Sequence, residues 1–203
     1  MKCNSRPKAA LAVLLAISLL ATGCTAQWIS VALADLPVLL QMALNIGSLV
    51  TTLQSGQQLS ASEAQAIQNI SAESSKDLNL LQTLYNQYQA NPTASALQKI
   101  QSTVADINQN LPALLQAAHI ADPVLSARVG AAVNLILATV TSFAALIPQA
   151  SGMPTGRMAA AGQIGKKATI PHPQDLKKQW NQTVCGATGK ASLDATFSVC
   201  PLK

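Results

Sequence analysis

The chain has 203 residues, of which 49% are hydrophobic, 10% charged and only 3% aromatic. That length suits one domain plus tails, and an Ala/Leu-rich, aromatic-poor composition favours helices over a β-sandwich. The apolar fraction excludes a wholly disordered chain, and so sparse a charge excludes a histone-like or ribosomal protein.

In chain order, the first element reads as an address. Met1–Lys8 carries Lys2, Arg6 and Lys8 and no acid, and Ala9–Leu20 is apolar throughout but for Ser18. A basic start, a short apolar stretch and small residues before a cleavage point make a secretory signal peptide over residues 1–23. The apolar stretch is too short to span about 30 Å of hydrocarbon as a helix. Leu20-Ala21-Thr22-Gly23-Cys24 resembles the lipobox of bacterial lipoproteins, although Ala21 stands where that family usually has Leu. The resemblance covers these first 24 residues and implies that Cys24 becomes the first residue of the mature chain, carrying acyl chains such as palmitate. Thr25, with no Asp after the cysteine, resembles lipoproteins sent to the periplasmic side of the outer membrane. Plain secretion after Ala21-x-Gly23, and an uncleaved anchor, are the alternatives. Of the four cysteines, Cys3 leaves with the signal and Cys24 takes lipid. Cys185 and Cys200 remain, an even pair expected to form a disulfide in an oxidising compartment.

Residues 24–149 predict an all-α fold, an up-down four-helix bundle. Helix 1 runs through Ile29, Leu33, Leu36, Leu40, Ala43, Gly47 and Val50. Helix 2 opens on Ser60-x-x-Glu63, a capping box. Its stripe is Ile67, Ile70, Leu78, Leu81, Tyr85 and Tyr88, with Ser74 filling the gap, and Asn91-Pro92 stops it. Helix 3 starts near Thr93 and shows a seam of Leu97, Ile100, Val104, Ile107, Leu111, Leu114 and Ala118. Helix 4 opens with Asp122 as N-cap and Pro123 in its first turn, and carries Val129, Val133, Ile136, Val140, Phe143 and Ile147. Short connections between long helices favour antiparallel neighbours. Asp35–Ala43 resembles Asn110–Ala118, with a proline third in each; the match is short and does not extend. Each proline either kinks its helix or sits in the first turn of a fresh one.

Residues 150–203 form a basic, mostly irregular tail with a small disulfide loop. Ser151–Gly156 and Pro171-His172-Pro173 are linker-like, and Gln174–Val184 is a candidate short helix. Residues 25–149 hold three cations against six acids, a net of −3; residues 150–203 hold seven against two, a net of +5. Such a tail on an exported protein points to anionic lipid or cell-wall carboxylates as a partner, with Lys166, Lys167, Lys177, Lys178 and Trp180 as candidate contacts. Export disfavours nucleic acid. A solvated tail, or one folded onto the acidic helices, is the plainer possibility.

Catalytic patterns are missing from the sequence. There is no H-E-x-x-H, no Gly-rich phosphate loop, no nucleophile elbow and no C-x-x-C-H. His119 sits at a helix end and His172 between prolines, so neither suggests a metal or catalytic role. No cofactor and no metal are expected, and the chain reads as a non-enzyme. The expectation is a lipid-anchored envelope protein acting as a structural or binding module. The alternatives are a membrane-active protein inserting its uncharged helices 1 and 4, and an enzyme of unrecognised type.

Overall fold

The computed structural model describes residues 6–55, 59–147, 171–187 and 200–203, with isolated positions between 189 and 195, and side chains from Trp28 onward. Between Arg6 and Asp35 the chain is rich in Ala and Leu and holds one interior glycine, Gly23, which costs a helix only about 1 kcal/mol. The signal-like segment and the first expected helix are accordingly one element, α1, Arg6–Ser55. The remaining helices are α2 (Ala61–Ala90), α3 (Ala94–Ala117), α4 (Pro123–Leu146) and α5 (Pro173–Thr183), with no strand among the described residues.

The caps fall where side-chain chemistry places them. Ser60 Oγ accepts from the Glu63 N–H at 3.3 Å, and Glu63 Oε2 accepts from the Ser60 N–H at 2.9 Å. The second carboxylate oxygen of Glu63 accepts from the Ala121 N–H at 2.7 Å, which ties the start of α2 to the α3–α4 turn. That bond, followed by those to Ser60, holds the Glu63 carboxyl below its usual range. Thr93 caps α3 through the Ala96 N–H. Asp122 caps α4 by accepting from Val124 and Leu125 at 2.8 and 3.0 Å. Pro37 and Pro112 lie inside α1 and α3, so neither Asp35 nor Asn110 starts a new helix.

α1 packs against α2 and α4, α2 against α3, and α3 against α4. The expected stripes of α2 and α4 are buried in full. Each such Leu, Ile or Val contributes roughly 1.5–3 kcal/mol of burial. Ser74 fills its gap by donating to the Ile70 carbonyl at 2.6 Å. Along α3 the seam is buried except at Leu114, which is half-exposed because it shares the edge of the seam with Leu115. Of the stripe expected on α1, Ile29, Leu36, Ala43 and Val50 are buried while Leu33, Leu40 and Gly47 are half-buried, and the buried face also takes in Ala32, Val38, Leu39, Met42, Ile46, Leu49 and Leu53. The reason is that three helices, α2, α4 and α5, lie against it. α1 and α2 approach closely at Gly47, where a Cβ would lie 2.6 Å from Ser71 Oγ. That hydroxyl donates to the Ala43 carbonyl at 2.7 Å.

The short helix expected in the tail is α5, and it packs against both α1 and α4, so this part of the tail is folded onto the long helices and is not a solvated segment. Leu176, Trp180, Val184, Cys200 and Leu202 belong to the same hydrophobic core as the long helices. The physical reason is an i, i+4, i+8 apolar stripe on α5, joined to residues 200–202 by the Cys185–Cys200 disulfide. The linker-like stretch at 151–156 lies outside the described residues, as does most of 195–200, where the sequence shows a weak strand-like alternation.

Candidate functional site

The residues singled out from the sequence fall into two regions. The first is the N-terminal approach of α1. Cys24 lies on that helix one turn before the buried Trp28. Trp28 stands edge-on to Tyr85 with ring centres 5.5 Å apart, and 6.1 Å from Tyr88. Tyr85 in turn meets Phe143 of α4 edge-on at 6.4 Å. Such pairs contribute roughly 0.5–1.5 kcal/mol beyond their area. The Trp28 indole N–H and the Tyr85 hydroxyl are buried with no hydrogen-bond partner. Burial pushes the Tyr85 phenol well above its usual range.

The second region is α5 and the strap it holds. Trp180 is 0% exposed. Its indole N–H donates to the Cys200 carbonyl at 3.2 Å, and Asn45 of α1 donates to the same oxygen at 3.3 Å. Asn181 both donates to and accepts from Leu202, at 3.0 and 2.8 Å. Trp180 is therefore a core residue and not a surface contact. The expectation placed it beside Lys177 and Lys178; Lys178, two positions away, faces another way on the helix, whereas Lys177, three away, lies on the edge of the buried stripe. Lys177 is half-buried and donates to the Lys203 carbonyl, whereas Lys178 is exposed. Lys166 and Lys167 lie outside the described residues. Among the described residues, exposed Lys178 and buried Trp180 do not form one surface patch.

Two ionisable residues that sequence reasoning passed over sit at the two ends of α5. Arg128 of α4 is buried and donates Nη1 to the Val184 carbonyl at 2.7 Å and Nη2 to the Gly186 carbonyl. Asp194 approaches the guanidinium at 3.9 Å. Desolvation lowers the Arg128 pKa, and Asp194 works against that. An open groove of about 410 Å³ beside it is lined by residues that include Val124, Ala127, Gln182 and Gly186. Asp35 of α1 is 0% exposed, and neither of its carboxylate oxygens has a hydrogen-bond partner. Its pKa is pushed up to about 6 by desolvation, with His172 pulling the other way. A signal for both was present: each is the lone charge in its apolar run, Asp35 within 28–55 and Arg128 within 123–146.

The histidines have local roles. His119 closes the α3–α4 turn in the left-handed region, φ 43°, and is exposed. His172 caps α5, its Nδ1 accepting from the Gln174 N–H. Among the described residues no three His, Cys, Asp or Glu are grouped to hold a metal ion. Compared with protein-family models, curated proteins and solved structures, the chain matches none.

Proposed function

We propose that this chain is an exported, lipid-anchored protein of the cell envelope, built as an up-down four-helix bundle and serving as a structural or binding module and not as a catalyst. One observation carries the anchoring: a basic start and a short apolar stretch lead directly into Leu20-Ala21-Thr22-Gly23-Cys24, the pattern that resembles a lipobox. The Cys185–Cys200 disulfide suits an oxidising compartment on the periplasmic side of the outer membrane.

Cross-links between helices support the antiparallel arrangement. Ser71 reaches Ala43 while Tyr85 and Tyr88 meet Trp28, so sequence rises along α2 as it falls along α1. Thr141 of α4 donates to Asn108 of α3 at 3.0 Å, and Gly130 lies against Leu115, giving the same reversal between α3 and α4.

The test is Cys24→Ala. The variant is expected to remain as unprocessed precursor, or to leave the membrane fraction, and its mass should lack acyl chains. Processing and fractionation like wild type would reject the anchor.

Membrane insertion is the second reading. Trp28–Gln54 and Pro123–Leu146 are long and apolar enough to cross a bilayer by length and composition. Their core faces are occupied by one another and by α2 and α5, and Arg128 is committed to α5 carbonyls. Leakage from vesicles at protein concentrations that leave the helical signal unchanged would favour insertion instead.

A further inference from the structure

The ends of the helices differ in charge along the molecule. One end is built from the entry of α1 at Trp28, the α2–α3 turn over residues 91–93, and the close of α4 at Ile147, drawn together through the Trp28, Tyr85, Tyr88 and Phe143 rings. No Asp, Glu, Lys or Arg occurs over 9–34, 78–98 or 129–147. The nearest charged side chains along the four helices are Lys99, six residues past Thr93, and buried Asp35, seven past Trp28. At 1.5 Å per residue these stand about 9 and 10 Å back from the end. Exposed groups here include the neutral amides of Asn86, Gln87, Gln89 and Asn91, beside Ala90, Pro92 and Thr93. The opposite end carries Glu63, Asp122, Arg128 and Asp194.

We propose that this end, uncharged among the described residues, is the face that lies against the lipid headgroups of the membrane to which the chain is anchored. This rests on the acylation of Cys24 proposed above and adds the orientation of the bundle to it. Cys24 precedes Trp28 by one helical turn, a rise of about 6 Å, so no spacer separates the acyl chains from the folded end. Whatever that end carries must sit beside the headgroups. Moving an ion toward a low-dielectric layer is costly, whereas amides keep hydrogen bonds to headgroup oxygens. Contact of this kind needs no anionic lipid and is insensitive to salt, unlike attraction by a basic segment.

The experiment uses the full chain, processed in cells and purified, in vesicles of neutral phosphatidylcholine containing a headgroup nitroxide quencher. With Cys24 acylated and Cys185–Cys200 oxidised, a single introduced cysteine is the free thiol available for a fluorophore. Asn91→Cys and Gln89→Cys report the uncharged end; Ser62→Cys and Ala121→Cys report the charged one. All four positions are exposed, and melting curves matched to wild type identify folded variants. Both near-end probes are expected to be quenched several-fold more strongly than both far-end probes, equally in low and high salt. Equal quenching, or stronger quenching at Ser62 and Ala121, in protein that is acylated and floats with the vesicles overturns the orientation alone. Protein that lacks acyl chains at Cys24 and fails to float overturns the anchor and the orientation together.

Discussion

The two ends of α5 meet buried charges of opposite sign, one supplied by α4 and one by α1. At the C-terminal end Arg128 donates to the carbonyls of Val184 and Gly186, groups that helix termini leave free, and its positive charge suits the negative pole of the helix. At the N-terminal end Asp35 lies close enough to the capping His172 to feel its charge, yet neither of its oxygens accepts a hydrogen bond. A guanidinium stays protonated and must be supplied with acceptors, and this one is. A carboxylate can instead take up a proton, and Asp35 does so near pH 6. The same cost of burying charge is met by hydrogen bonding at one end and by titration at the other.

Deleting residues 151–203 tests the comparison most severely. It uncovers the faces of α1 and α4 beneath Leu176, Trp180 and Val184. The expected loss is roughly 5 kcal/mol or more, from buried apolar area and the missing disulfide. Denaturant unfolding would measure it, and an unchanged midpoint would mean that the tail is solvated and not part of the core. Trp180→Ala removes the largest buried side chain of α5 and should cost about 3–5 kcal/mol in the same assay. Arg128→Met keeps bulk but leaves the Val184 and Gly186 carbonyls without their donor. A loss of about 3 kcal/mol is expected.

Asp35→Asn should act in the opposite direction. The folded-state pKa of Asp35 is raised from 3.8 to about 6, so its neutral form is favoured by folding. That contribution is complete below pH 3.8, falls as pH rises through about 6, and is gone above it. At pH 7 the wild type therefore carries a penalty of about 3 kcal/mol, from 1.36 kcal/mol per pKa unit. The variant should be more stable by up to about that amount at pH 7 and lose its advantage near pH 4, as followed by melting temperature against pH. A variant with the wild-type pH profile would show that Asp35 is solvated. The smallest effect belongs to His172→Ala, which removes a cap worth about 1 kcal/mol. Losing that neighbouring charge should also move the Asp35 titration upward, measurable by carboxyl NMR.

The helices were legible because their ends are written in side chains that bond the backbone: Ser60 with Glu63, Thr93, and Asp122 followed by Pro123. The apolar seams of α2 and α4 were legible for the same kind of reason, since burial enforces their spacing. The docking of α5 was obscured by composition. The tail is polar overall, and Leu176, Trp180 and Val184 look few until they are placed one turn apart on one face. Leu114 was misplaced because a heptad written as 111, 114, 118 competes with 111, 115, 118, and both leucines end half-buried. Of the candidate contacts, Lys177 and Trp180 were assigned by charge and proximity in sequence, which does not reveal what a helix turns inward. Asp35 and Arg128 were overlooked because a single charge in an apolar run looks incidental until its depth is known.

Apolar seams repeat, and repeats tolerate sliding: a helix moved by one heptad still presents leucine to leucine. The close approach at Gly47 breaks that degeneracy. Ser71 fits there only because residue 47 has no side chain, and it then finds the Ala43 carbonyl one turn away. A shift of α2 by seven positions along α1 would bring Leu40 or Gln54 opposite Ser71, with no room for either. One missing methyl group thus acts as a detent that selects a single axial setting of α1 on α2 from several that hydrophobicity alone would accept.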